Sequence, residues 1–183
     1  MSKIIATVWM SLDGIFDATL MAEWFNPYHS DSRAARITQN IQDCDAMLYG
    51  RKTYEMLYPY WSSLKNNEMG VADKLNQTKK YVVSDTLKTA PWENTTILGE
   101  DFVARLKDIK ANGTGNILVQ GSGELVNSLI AEGLLDELRV MLHPHIMGRG
   151  QRFFKEGVLS GLERKAISEL DLGVLEITYA PVA

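Results

Sequence analysis

The stretch Asn116-Ile117-Leu118-Val119-Gln120-Gly121-Ser122-Gly123-Glu124-Leu125 decides the fold. Ile117 to Val119 are apolar at consecutive positions, where a strand with one wet face would alternate, so this strand needs cover on both sides. It ends in two glycines around a serine, and Leu125, Val126, Leu129 and Ile130 then follow at helical spacing. A buried strand that turns through glycine into a helix is one unit of a parallel strand-helix array. Ala46-Met47-Leu48-Tyr49-Gly50-Arg51-Lys52-Thr53 repeats the arrangement. Both strands are expected at the centre of a sheet covered by helices.

Working outward, β-rich runs occur at Ile4 to Met10, Ala46 to Tyr49, Lys80 to Ser84, Thr95 to Leu98, Asn116 to Gln120, Glu137 to His143, Arg164 to Leu170 and Val174 to Tyr179. Helical spacing appears between several of them, at Ala34, Ile37 and Ile41 and again at Phe102, Val103, Leu106 and Ile109. The last two runs alternate and are separated only by Asp171-Leu172-Gly173, whose glycine suits a hairpin turn. The expectation is an α/β domain with an eight-stranded mixed sheet, mostly parallel, helices on both faces, and a C-terminal antiparallel hairpin. A chain of 183 residues suits one such domain over residues 1–183 and buries about 70% of its unfolded surface.

Charge and composition narrow the partners. Nineteen Lys and Arg stand against 23 Asp and Glu, a net charge of −4, and no basic block is dense enough to follow a duplex backbone. Nucleic-acid binding is not expected. The longest apolar run is Ala46 to Tyr49, far short of the ~20 residues of a membrane-spanning helix. Ser11 and Asp13 interrupt the apolar start before any signal-peptide pattern develops, which reads as a cytoplasmic chain. The single Cys44 is expected to be a small core residue, and no metal site is expected.

Three loops at strand ends carry candidate chemistry. In Gly50-Arg51-Lys52-Thr53, the glycine admits close approach of a ligand, the two cations attract an anion, and the threonine offers a hydroxyl or a helix cap. Two cations beside a helix N-terminus oppose the helix dipole unless an anion sits between them. Gly121-Ser122-Gly123 can present consecutive N–H groups to a pyrophosphate. It lacks the full G-x-G-x-x-G spacing and is equally an ordinary tight turn. Ser84-Asp85-Thr86 can bind a ribose or phosphate, or cap its own turn. A fourth segment, Ser11-Leu12-Asp13-Gly14 through Trp24, is long enough to form a binding loop that closes over a substrate.

Taken together, these stretches resemble the dihydrofolate reductase-like family. The matching features are Ser11-Leu12-Asp13-Gly14, Leu48 to Glu55, Tyr81 to Ser84 and Gly121 to Leu125, in an order that spans roughly residues 3 to 180. The Ser-Leu-Asp-Gly start and the segment from Glu137-Leu138-Arg139-Val140 to Gly148-Arg149-Gly150 are more similar to the reductase domain of riboflavin biosynthesis. The resemblance implies NADPH as cofactor, a small heterocyclic substrate reduced at C=N or C=O, and a homodimer. It implies that Gly50, Arg51, Lys52 and Thr53 hold the pyrophosphate and 2′-phosphate, with Arg51 discriminating NADPH from NADH. Ser84, Asp85 and Thr86 would line the adenosine ribose, and Gln120, Gly121, Ser122, Gly123, Glu124 and Leu125 would complete the phosphate cradle.

The chain departs from the riboflavin reductases at Thr7, where they usually carry a lysine, and at Tyr54-Glu55-Met56, which replaces their Asp-Asp-Pro. The zinc deaminase often fused to them is not expected in this chain. For the proton donor, Asp13 is the first candidate and Asp31 the second, the latter as the nearest match to the pterin-binding carboxylate of folate reductases. Ser11, Glu23 and Trp24 are expected at the substrate mouth. Trp24, Phe25 and Tyr28 could stack on a planar ring or pack a lid. The alternatives to a riboflavin-type reductase are a nucleotide-binding module without turnover and a dihydrofolate or pterin reductase.

Overall fold

The structure, a computed structural model, describes residues 1–157 and 160–182. The strands are β1 (Lys3–Ser11), β2 (Ala46–Gly50), β3 (Lys79–Val83), β4 (Thr95–Leu98), β5 (Asn116–Gln120), β6 (Glu137–His143), β7 (Leu162–Glu169) and β8 (Leu175–Pro181). Among them run the helices α1 (Met21–Trp24), α2 (Asp31–Gln42), α3 (Arg51–Trp61), α4 (Ala72–Gln77), α5 (Phe102–Asn112) and α6 (Gly123–Ala131). The eight strands form one sheet in the order β4-β3-β2-β5-β1-β6-β8-β7. Pairing is parallel from β4 to β6 and antiparallel at β8 and β7. This is the mixed sheet with a C-terminal antiparallel pair that the sequence implies.

The consecutive apolar residues of the central strands divide between two cores. Ile4, Ala6, Val8, Leu48, Ile117 and Val119 face Leu106 of α5 and Leu125, Val126 and Leu129 of α6. Ile5, Met47, Tyr49 and Leu118 face the other way, toward Ile41 of α2, Tyr54 of α3 and Leu75 of α4. Period-two geometry makes one strand serve both sides, and this is why β2 and β5 carry no polar alternation. Cys44 is buried in the second core, and burial pushes its thiol up to about 11. It behaves as a small apolar side chain.

The segment from Gly14 to Tyr28, read from sequence as a long loop, is built from short helical turns and is pinned along its length. Phe16 N–H donates to Gln151 O at 2.7 Å, Phe153 N–H donates to Gly14 O at 3.1 Å, and Trp24 is 2% exposed. It forms a wall of the molecule. Its partners lie more than a hundred residues downstream, so nothing local in the sequence announces them.

Candidate active site

Strands β2 and β5 are neighbours, yet the helices that follow them cover opposite faces of the sheet. Their N-termini therefore diverge at the carboxyl ends of the strands and leave a crevice, the position where open α/β sheets take ligands. The crevice is a cleft of about 570 Å³. Gly50, Arg51, Lys52 and Thr53 line one side, Gly121, Ser122, Gly123, Glu124 and Leu125 another, and Ser84, Asp85 and Thr86 the end beyond β3. Thus the three loops meet on one surface.

The local geometry differs in detail from the sequence reading. Gly50 is the N-cap of α3, so Arg51, Lys52 and Thr53 form its first turn and Thr53 does not cap it. Ser122 is the N-cap of α6, and neither cap residue gives its helix a side-chain hydrogen bond. Two sets of helix N–H groups are left open toward the same cleft, which suits an anion. Gly50 has an ordinary φ of −76°, whereas Gly121 and Ser122 adopt left-handed φ values of +63° and +56°. The glycine demanded by backbone conformation is Gly121. Ser122 Oγ accepts the Gly50 N–H at 3.0 Å and so stitches the two turns together. Arg51 bridges to Glu55 at 2.8 Å on the surface of α3, and Lys52 is exposed. An exposed pair of this kind is worth little, so the guanidinium is free to re-aim. Ser84 Oγ accepts the N–H groups of Thr86 and Leu87 at 3.2 and 2.9 Å, capping its own turn.

A smaller pocket of about 110 Å³ opens from the cleft through shared walls of Phe16, Ala18, Thr53, Met56 and Gly121. Trp9, Met21, Trp24 and Leu57 give it an apolar lining, and Thr7 and Gln120 line it as well. Gln120 therefore belongs to this pocket and not to the cleft that holds the other loop residues. Trp9 of β1, Met21 of α1, and Met56 and Leu57 of α3 come from three separate elements, whereas Thr7, Trp24, Thr53, Gln120 and Gly121 were already singled out in the sequence.

The expected acids lie elsewhere. Asp13 lines neither cavity; its carboxylate accepts Ser11 Oγ at 2.6 Å and the N–H groups of Met147 and Gly148 at 3.1 and 2.8 Å. The Ser11 hydroxyl and then these backbone N–H groups hold it down at about 2, so at neutral pH it carries no proton to give. Ser11 is buried, and besides donating to Asp13 it accepts the Ile15 N–H at 3.0 Å. Asp31 is exposed in the first turn of α2, where a carboxylate favours the helix dipole, and it lines neither cavity. Glu23 points outward to Arg149 at 2.6 Å. Trp24 does reach the smaller pocket, held edge-on against His143 with ring centroids 5.3 Å apart. Asp17, which the sequence did not single out, is the ionisable residue in the smaller pocket among the described residues. Its carboxylate accepts Thr19 Oγ1 and N–H and the Gln151 N–H, and these bonds, led by the Thr19 hydroxyl, lower its pKa.

With this geometry in view, comparison with known proteins gives the family. The profile of the RibD C-terminal domain matches residues 2–175. The chain belongs to the RibD C-terminal domain family. The uncharacterized protein YyaP of Bacillus subtilis (strain 168) is 27% identical over 150 residues, covering 78% of this chain and 77% of that protein. Among solved structures, a protein from Shewanella sp. PV-4 assigned to riboflavin biosynthesis superposes with a TM-score of 0.75 at 19% identity, over 99% of both chains. Dihydrofolate reductase from Enterococcus faecalis, solved with NADP(H), superposes with a TM-score of 0.67 at 15% identity, over 99% of this chain and 97% of that one. The RibD-type domain thus has the dihydrofolate reductase-like fold, with an eight-stranded mixed sheet. No helix among the described residues is long and apolar enough to cross a membrane.

Proposed function

We propose that this RibD-type domain is an NADPH-dependent reductase that delivers a hydride to a C=N or C=O group of a small heterocyclic compound. The observation that carries the reading is the pair of helix N-termini, each without a side-chain cap, that open on one cleft with Arg51 and Lys52 in the first turn of α3. Such a surface suits a pyrophosphate, and Arg51 can pair with a 2′-phosphate through two hydrogen bonds once it leaves Glu55. Membership of the RibD family and the fold shared with an NADP(H)-binding reductase support the same assignment.

Gly50, Arg51, Lys52, Thr53 and the turn from Gly121 to Leu125 would hold the cofactor, and a reduced nicotinamide, when bound, would supply a hydride to the acceptor carbon while the neighbouring nitrogen or oxygen takes a proton. The protein residues then bind, orient and exclude water. Gly121 makes the left-handed turn into α6, Gly123 leaves room for Phe16 and Phe153 behind it, and Thr53 offers a hydroxyl at the junction of the two cavities. Trp9, Trp24, Met56 and Leu57 make a dry wall around the acceptor ring. Asp17 accepts hydrogen bonds from Thr19 and Gln151 that favour its ionised form, so it has no proton to give at neutral pH, and water would supply the proton.

Titration of the purified protein with NADPH and NADH tests this, read by nicotinamide fluorescence and thermal shift. NADPH binds more tightly than NADH, and Arg51→Ala lowers NADPH affinity about tenfold while changing NADH affinity little. Absence of any NADPH response overturns the cofactor assignment. Equal losses for both nucleotides overturn the role of Arg51.

A further inference from the structure

The outer strands β8 and β7 have one face covered and one open. On the covered side, Arg36 of α2 donates to Ser168 Oγ at 3.4 Å and pairs with Glu176 at 3.3 Å, and Asn40 donates to Glu176 at 2.8 Å. On the other side burial falls away strand by strand. Val140 of β6 is 7% exposed, its β8 partner Ile177 is half-buried, and the next partner outward, Ile167 of β7, is 50% exposed. The rows on either side run Leu138, Tyr179, Arg164 and Leu142, Leu175, Glu169 in the same register.

A β-bulge between Arg164 and Ala166 creates this arrangement. Arg164 and Ile167 stand an odd number of positions apart and would point to opposite faces of a regular strand, so the extra residue is what brings Arg164 onto the face of Ile167. Arg164 and Glu169 then flank Ile167 by equal register steps at opposite ends. They lie about 13 Å apart along the strand, too far to pair with each other. Neither has an ion-pair partner among the described residues. The outer edge of β7 is guarded by the same bulge and by the exposed Lys165, devices that disfavour the addition of another strand. The open face has no such guard: it sets an apolar centre between one cation and one anion.

We propose that this face takes a second copy of the chain, packed sheet on sheet about a two-fold axis that lies between the sheets and runs across the strands. That operation reverses the strand direction, sets Ile167 and Ile177 on their counterparts, and places Arg164 opposite the partner's Glu169 and Glu169 opposite the partner's Arg164. An axis along the strands would instead set like charges against each other. Equal spacing of opposite charges about Ile167 makes the surface complementary to itself, which is what a two-fold interface requires and a partner of other chemistry does not. Ile167, Ile177, Leu175 and Tyr179 supply the affinity, and the two ion pairs fix the orientation. None of these residues lines either cavity, so the inference is independent of the reductase reading.

Sedimentation velocity over a concentration series tests it. The parent protein is a dimer at micromolar concentration. Arg164→Glu weakens the dimer at least about tenfold, because two like-charge contacts replace two ion pairs. Combining Arg164→Glu with Glu169→Arg restores the dimer, since the exchange rebuilds both pairs. Ile167→Asp is monomeric, with the circular dichroism spectrum of the parent; should it fail to fold, the charge exchange at two exposed positions carries the test alone. A parent that stays monomeric up to about 100 µM, a dimer that survives Arg164→Glu or a folded Ile167→Asp, an exchange variant as weak as the single one, or an assembly that grows beyond the dimer overturns the inference.

Discussion

The backbone N–H of Gly50 donates to Ser122 Oγ at 3.0 Å, joining two residues 72 positions apart in sequence. One sits at the start of α3 and the other at the start of α6. The bond sets the spacing of the two helix N-termini across the cleft, and Ser122 holds it in a left-handed conformation, with φ of +56°. Two opposing terms therefore meet at one side chain. The left-handed backbone costs roughly 1 kcal/mol for a residue with a Cβ, and the hydrogen bond returns about the same amount.

Replacing Ser122 separates these terms. Ser122→Ala keeps the strain and loses the bond, so its unfolding free energy falls by about 1–2 kcal/mol. Ser122→Gly loses both and stays within about 0.5 kcal/mol of the parent. Urea denaturation of the three proteins gives the comparison. If alanine and glycine variants are equally stable, the strain at Ser122 is not real.

The two cleft glycines behave differently for the same reason. A Cβ on Gly50 would meet Ser122 and Leu125 at 3.7 and 3.8 Å, ordinary contact, on a backbone any residue adopts. Gly121 has a φ of +63°. Gly121→Ala therefore destabilises by about 1–2 kcal/mol, and Gly50→Ala by less than about 0.5 kcal/mol. Thermal or urea unfolding checks the ranking, and the reverse order contradicts it.

The sheet was legible because β2 and β5 write their position directly in consecutive apolar residues, and because the Asp171-Leu172-Gly173 link leaves little room for anything but an antiparallel return. The cleft was legible because each of its loops is contiguous in sequence and follows a strand. The smaller pocket was not. Thr7, Trp9, Phe16, Asp17, Met21, Met56 and Gln120 converge from four parts of the chain, and none carries a local pattern. The fate of Asp13 was hidden for the same reason, since two of its three partners are 134 and 135 residues away.

Asp13 offers a direct test of structural against catalytic use. Removal of a general acid costs a factor of about 10²–10⁴ in turnover. Asp13→Ala instead lowers the melting temperature, because the turn at Gly14 and the Met147-Gly148 backbone lose their shared acceptor, while kcat with any acceptor the protein reduces falls by less than about tenfold. Its folded pKa is depressed from 3.8 to about 2, so its stabilisation is complete above 3.8 and is lost as pH falls through about 2. Steady-state kinetics and melting curves on the same variant separate the two roles. A loss of a hundredfold or more in kcat restores Asp13 as the acid.

His143 supplies a pH dependence of folding stability. It is fully buried, between Trp24, Phe25 and Tyr28, with ring centroids 5.3, 5.2 and 5.8 Å away. Nδ1–H donates to Met10 O at 3.3 Å, and Arg33 Nη1 lies 3.4 Å from Nε2. Burial first, and the Arg33 guanidinium as well, bring its pKa down from 6.5 to about 4. In the unfolded chain His143 takes a proton near 6.5, so between these values the unfolded state binds more protons and stability rises with pH. The contribution is complete above 6.5, is lost as pH falls through about 4, and amounts to at most about 3 kcal/mol. His143→Gln removes this segment of the stability–pH curve, which urea denaturation across the interval measures. A parent stability curve flat between pH 4 and 6.5 contradicts the buried, neutral state of His143.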